Sequence, residues 1–375
     1  MSAAPLYLDY NATTPAKPAV LRAVVAAMEQ GGNPSSVHGV GRKARRLVED
    51  ARAAVADMVG AAPESVIFTG SGTEANHLAL LGAGRSRLLT SAIEHDSLLQ
   101  AAPHAERIAV NGDGLIALGA LDRALARDPA PALVSVMLAN NETGVIQPIA
   151  EVVEIARRHG ALVHTDAAQA PGRIPVDFRS LGVDLMTLSA HKIGGVLGAA
   201  ALILRAGTPL AAIQRGGGQE RGLRAGTENA AAIAGFGVAA ELTQEDLRRA
   251  DEIRGLRDRL EALCLDAVPD AVIAGAGAPR LPNTSCLART DMISETQVMA
   301  LDLAGFAVSA GAACSSGKVR RSAVLDAMGL GAVAAHAIRV SLGWGTRPAD
   351  IESFAKAWSG LRARSRATSM ALETV

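Results

Sequence analysis

What most constrains this chain is an alternation of short apolar runs with longer helical patterns. Runs at 66–69, 87–90, 107–110, 133–138, 161–165, 185–188 and 200–204 are rich in Val, Leu and Ile and read as buried strands. Between the fourth and fifth, Pro148 suits a first helical position, Glu151 and Glu154 come early, Arg157, Arg158 and His159 come late, and Gly160 follows as a C′ residue. These charges complement the helix dipole, and the proline and glycine fall where a helix tolerates them. Strand, helix, strand is a βαβ unit, so the expected fold class is α/β with a mostly parallel, seven-stranded sheet. Crossovers in such a sheet are right-handed, and ligands gather at the carboxyl ends of its strands. Near residue 250 the pattern changes. A charged amphipathic helix is expected over roughly 244–265, then strand-like segments at 271–274 and 284–287, an α+β remainder, and a frayed tail from about residue 365. The expected division is a large domain, 15–250, and a smaller α+β domain made of 1–14 and 251–375.

Composition removes several function classes. Hydrophobic residues are 49% of 375, enough for a sizeable core. The formal charge is zero, 37 cations against 37 anions, whereas a nucleic-acid binder needs excess cations to displace counterions. Aromatics are only 2%, too few for base-stacking platforms. Three cysteines, Cys264, Cys286 and Cys314, contain no C-x-x-C pair. They supply neither a disulfide framework nor a thiolate metal site, and they suit a reducing cytoplasm. No metal site is expected. The N-terminus lacks a basic segment followed by an apolar run, and no stretch approaches 18 uninterrupted apolar residues. Neither a signal peptide nor a membrane span is expected.

Five motifs follow successive strand-like runs. Thr69-Gly-Ser-Gly-Thr-Glu-Ala-Asn76 opens a helix. Ser71 and Glu74 fit a capping box, and the glycines let backbone N–H groups approach an anion; a plain capped helix start gives the same pattern. His95 follows a second strand and Asn140-Asn-Glu-Thr-Gly144 a third; a satisfied histidine and an Asn-rich turn account for each alone. Asp166, with Gln169 three residues on, ends a fourth, as a carboxylate needing a cation or as a helix cap. Ser189-Ala-His-Lys192 ends a fifth, where a solvated loop lysine is the plainer reading. Their joint placement carries more than any one. A phosphate cradle, a stackable imidazole, a carboxylate and a lysine at strand ends of one sheet are what pyridoxal 5′-phosphate (PLP) needs.

The chain resembles the cysteine desulfurases of the class V aminotransferase group, within the fold-type I PLP enzymes. The likeness runs almost end to end. It includes Leu8-Asp-Tyr-Asn-Ala-Thr-Thr-Pro15, Asn33-Pro-Ser-Ser-Val-His38 and the motifs above. It continues through Gly216-Gly-Gly-Gln-Glu-Arg-Gly-Leu-Arg-Ala-Gly-Thr227, Ser309-Ala-Gly-Ala-Ala-Cys-Ser-Ser316 and Arg339-Val-Ser-Leu-Gly343. By that resemblance Lys192 forms the Schiff base, Asp166 pairs with the pyridinium, and His95 stacks on the ring and moves protons. Asn141 and Gln169 contact ring substituents. Gly72, Thr73, Ser189 and His191 hold the phosphate. Thr227 reaches the phosphate of a neighbouring subunit, implying a homodimer. Arg339 clamps the substrate carboxylate, a bidentate task suited to guanidinium.

Cys314 is then the sulfur nucleophile, set among small residues. The implied reaction converts L-cysteine to L-alanine with a persulfide on Cys314. The persulfide passes to an iron–sulfur scaffold or a sulfur-carrier protein. Cys264 and Cys286 keep a packing role. The chain departs from the family where Gly195-Val-Leu-Gly198 lacks the usual proline, which frees the backbone there. Arg320-Arg321 is also unusual, as a docking cluster or a solvated face. The rival readings are a selenocysteine lyase or another β-eliminating PLP enzyme, a transaminase, and a non-catalytic assembly subunit.

Overall fold

The computed structural model describes residues 5–311 and 321–372, with side chains through Leu361. Seven strands lie side by side in the order Val66–Thr69, Ala200–Leu204, Leu185–Ser189, Leu162–Asp166, Ala132–Ser135, Arg87–Ser91, Glu106–Ile108. Six run the same way, and Ala200–Leu204 alone is antiparallel to both neighbours. The strand Leu185–Ser189 is buried at every position because helices cover both faces, which is why these runs are apolar without alternating. The run at 107–110 is shorter than its sequence implies. It forms the edge strand Glu106–Ile108, where exposed Arg107 blunts further pairing.

One core, around Val55, Val134, Met186 and Phe236, joins a sheet face to the helices Gly39–Met58, Ile149–Arg158 and Ala230–Arg248. On the opposite face, Leu78 and Ala79 of the helix Gly72–Gly82 pack with Leu133, Leu185 and Leu202. A separate core gathers Leu8 with Leu260, Ile338, Phe354 and Trp358. There the helices Ala250–Ala267 and Pro348–Leu372 lie with the antiparallel strands Thr284–Ala288 and Ala337–Ser341. The N-terminal strand Leu6–Tyr7 belongs to this unit, pairing in parallel with Phe306–Ala307.

Three sequence expectations need correction. The helix expected over 244–265 is two helices, Ala230–Arg248 and Ala250–Ala267, broken at Arg249. Arg249 Nη1 donates to the Trp344 carbonyl, a tertiary contact that no local breaker announces. Pro148 caps the helix Ile149–Arg158 rather than opening it; Gly160 does take the left-handed φ of +65° expected of a C′ residue. The tail from residue 365 continues as helical backbone to Leu372, in keeping with its good helix formers. No helix among the described residues is long and apolar enough to cross a membrane.

Glu220 and Arg221 are the only described non-glycine residues with positive φ, +44° and +57°. Such backbone costs about 1–3 kcal/mol per residue and persists only where its surroundings impose it. Here the Glu220 carboxylate accepts two bonds from Arg52, each 2.8 Å, and one of 2.9 Å from the Phe68 backbone N–H. Its side chain is fully buried. The strained turn is thereby bolted to the strand leading into the Thr69–Thr73 turn.

Candidate active site

The carboxyl ends of the parallel strands open into a cavity of about 360 Å³, within the range of small-molecule sites. Gly72, Thr73, His95, Asn141, Asp166, Gln169, Ser189, His191, Lys192 and Arg339 all line it. Topology explains the convergence, since all of these but Arg339 end or follow strands that stop at this edge, while Arg339 reaches it from the strand Ala337–Ser341 of the smaller sheet. Two expected site residues are not among those lining it. Thr227 is exposed and lines a separate cleft with Thr69, Gly70 and Arg224. Cys314 lies outside the described residues.

The helix Gly72–Gly82 points its N-terminus at the cavity, with Ser71 Oγ accepting from Glu74 N at 3.2 Å. Only half of the capping box forms. The Glu74 carboxylate turns to Gly70 N, 2.7 Å, and to Arg224 Nε, 2.6 Å. A Cβ built at Gly72 would stand 3.7 Å from Ser189 Cβ, so the glycine keeps a notch open between the helix start and Ser189. Free N–H groups and a positive dipole end make that notch an anion site. His191 lies beside it with its ring pKa pushed down to about 4, by burial first and then by Lys192 and Arg173. Without a bound anion the ring is therefore neutral at neutral pH.

Lys192 sits in the short turn Ala190–Lys192. Its Nζ donates to the carbonyls of Asn11, 2.7 Å, and Ala12, 2.9 Å. Asp166 ends its strand with both carboxylate oxygens engaged. Oδ1 accepts from Ala168 N and Oδ2 from Asn76 Nδ2, both at 2.9 Å. No helix directly follows Asp166, so the helix-cap reading gives way to an acceptor carboxylate that lines the cavity. His95 caps the short helix Asp96–Leu99, and its Nδ1 accepts from Ser97 N at 3.1 Å. A nitrogen that accepts from a backbone N–H carries no proton, so the neutral ring holds its proton on Nε2.

Gln169 lines the cavity but spends much of its amide inside the protein. Nε2 donates to the Asn11 carbonyl at 3.0 Å, and Oε1 accepts from Arg173. Arg339 is 3% exposed. It donates to Asp9 Oδ1, 2.8 Å, and to the Asn141 carbonyl, 3.0 Å. Its buried Nε has no hydrogen-bond partner among the described residues, so a cation with donors to spare lines the cavity. The ends of the segment holding Cys314 are tied to the same neighbourhood. Ser309 Oγ donates to Asp9 Oδ2 and Ser322 Oγ to Glu142 Oε2, each 2.6 Å.

Sequence reading missed several contributors. Asn11 and Asn76 sit inside quoted motifs without having been given a task. Glu94 is fully buried behind the cavity, with its carboxyl pushed up to about 8, chiefly by desolvation and further by Asp166. His164, under the sheet end, is pushed down to about 4 by burial and bonds Ser135 and Thr187. A polar residue within an apolar strand was the signal available for it. In the departing turn, Val196 packs on the main core while Leu197 is exposed. Arg321 pairs with Asp326 through both oxygens, and Arg320 lies outside the described residues.

The family model for class-V aminotransferases matches residues 6–354. A cysteine desulfurase of Cereibacter sphaeroides is 46% identical over 92% of this chain and 93% of its own length. An IscS-like cysteine desulfurase of Mycobacterium tuberculosis is 38% identical over 97% and 98%. Among solved structures, a NifS-like protein from Rickettsia africae superposes with a TM-score of 0.90 at 37% identity, covering 96% of this chain and 99% of that one.

Proposed function

The chain belongs to the class-V aminotransferase family, and from that premise we propose that it is a PLP-dependent cysteine desulfurase converting L-cysteine to L-alanine. The observation that carries this reading is one cavity holding an amine at Lys192, a carboxylate at Asp166, an imidazole at His95 and an anion notch at Gly72 and Ser189. That donor set fits PLP. Gly72, Thr73, Ser189 and His191 would hold its phosphate, Asp166 its ring nitrogen, His95 a ring face, and Asn141 and Gln169 its ring substituents. Bound there, PLP supplies an aldehyde for an amino group and a ring that withdraws electrons.

The chain's own groups do the rest. Arg339, whose side chain lines the cavity, meets the substrate carboxylate with its guanidinium. Lys192 Nζ would hold the cofactor's aldehyde carbon and would serve as the base for the α-proton. Cys314, as thiolate, attacks the substrate sulfur. The Cβ–S bond breaks as the S–S bond forms, so cysteine and one thiol become alanine and one persulfide. Activity falls as pH drops below the thiol's working pKa, because only the thiolate is nucleophilic.

The remaining assignments belong to the same proposal. Thr227, exposed and outside its own cavity, serves the phosphate of a second subunit. Leu21, Val25 and Met28, exposed at helical spacing on Pro18–Gln30, are apolar surface that a homodimer would cover. The separate core around Leu8 and Trp358 supports the small domain of 1–14 and 251–375. The persulfide goes to an iron–sulfur scaffold or a sulfur-carrier protein in the cytoplasm. The test is anaerobic incubation of the PLP-loaded protein with L-cysteine. Stoichiometric alanine and one added sulfur on Cys314 are expected; alanine without sulfur on Cys314 overturns the nucleophile assignment, and no alanine overturns the reaction.

A further inference from the structure

We propose that Asn76 is a positioning residue that fixes Asp166 and, through Ser97, His95 in one arrangement around the cavity. The proposal rests on the PLP reading above. Asn76 Nδ2 lies 2.9 Å from Asp166 Oδ2 and 2.9 Å from Ser97 Oγ. An ionised carboxylate only accepts, so the amide nitrogen must face it, and both amide hydrogens are used. Ser97 Oγ accepts from Asn76, and because His95 Nδ1 already accepts from Ser97 N and carries no proton, the hydroxyl gives its hydrogen to that nitrogen, 2.9 Å away. The donor direction is fixed from Asn76 through Ser97 to the imidazole. Asn76 is 1% exposed, and its Oδ1 has no partner among the described residues. A buried amide with an unmet carbonyl is a poor choice for packing alone. Helix and strand thus share one amide: Asn76 lies on Gly72–Gly82, whose first turn forms the anion notch, while Asp166 ends the strand Leu162–Asp166.

The charged and titratable groups around Asp166 are Lys192 and His95 in the cavity lining, Glu94 behind it and His164 on its own strand. Removing the Asn76 donor releases Asp166 Oδ2 from the side-chain bond that fixes its direction. The experiment compares Asn76→Ala, Asn76→Ser and Ser97→Ala in the full chain. It reads PLP affinity, the pH titration of the bound cofactor's absorbance, and the ¹⁵N shifts of His95. Asn76→Ala should bind PLP about tenfold or more weakly, the size of a lost hydrogen bond to a charge, and move the acid limb to higher pH. Asn76→Ser, which keeps a donor, should lie between it and wild type. Ser97→Ala should leave the acid limb in place and shift His95 Nδ1, and adding Asn76→Ala to it should move Nδ1 no further. Unchanged affinity and acid limb in Asn76→Ala overturn the proposal. Weaker binding with an unchanged limb and unchanged nitrogen shifts overturns it too, by leaving only a packing role. If Asn76→Ala does not fold, Asn76→Ser with a wild-type limb overturns it alone. Wild type that takes up no PLP refutes the cofactor reading itself, and the proposal with it.

Discussion

Arg339 Nη2 lies 2.8 Å from Asp9 Oδ1, and Asp9 Oδ2 accepts from Ser309 at 2.6 Å. The guanidinium that faces the cavity is therefore held in place by the N-terminal segment, and its remaining donors are aimed rather than floppy. Lysine at this position keeps the charge but loses the planar fork. Arg339→Lys is expected to raise KM for L-cysteine about tenfold or more, in line with loss of a charged hydrogen bond, while PLP content stays at wild-type level. Steady-state kinetics beside cofactor quantification check this; an unchanged KM removes Arg339 from substrate binding.

Lys192 and Cys314 separate the two halves of the proposed chemistry. Lys192→Ala should lose covalent cofactor attachment after borohydride reduction and lose turnover. Cys314→Ser should retain attachment but release no sulfide from L-cysteine. Intact-mass analysis and sulfide assay decide; normal sulfide output from Cys314→Ser would take that thiol out of the reaction.

Glu94 carries a carboxyl raised to about 8 by burial. The folded state then holds a proton that the unfolded state releases near its ordinary pKa of about 4.5. This contribution to stability is complete below about 4.5 and is lost as pH rises through about 8. Its amide Glu94→Gln can still accept from Ser91 and Met137 through one oxygen, as Glu94 Oε1 does. The variant should show a flatter fall in melting temperature between pH 5 and 8 than wild type, followed by calorimetry across that range. Parallel curves would place the proton elsewhere.

Arg52→Ala should destabilise the fold by about 3–5 kcal/mol, because it leaves the Glu220 carboxylate buried without its cation. Denaturant titration measures the loss. Restoration by the paired change Glu220→Gln would show that the unpaired charge, rather than missing side-chain volume, is the cause.

Much of this was legible in the chain. The apolar runs and the motifs after them put nine of the cavity residues at strand ends, because in a parallel sheet chain order and spatial edge are linked; Arg339 comes from inside a strand of the smaller antiparallel sheet. Hidden features depended on long-range contacts. Arg249 breaks a helix with no glycine or proline next to it, so the periodic pattern ran straight through the break. Asn76 reads as one more residue of a helix, and only the fold shows it facing Asp166. Pairing of Arg339 with Asp9 joins residues 330 positions apart, beyond any local pattern.

The single reversed strand, Ala200–Leu204, has a mechanical result for the lysine. Chain leaving Leu185–Ser189 returns alongside it instead of crossing the sheet over a helix. The amine is thus carried on a short bridge with both feet planted in neighbouring strands. A glycine-rich bridge of that kind turns at Gly194 and Gly198, both at positive φ, and keeps the base of the lysine beside the mouth it spans, where two carbonyls hold its nitrogen.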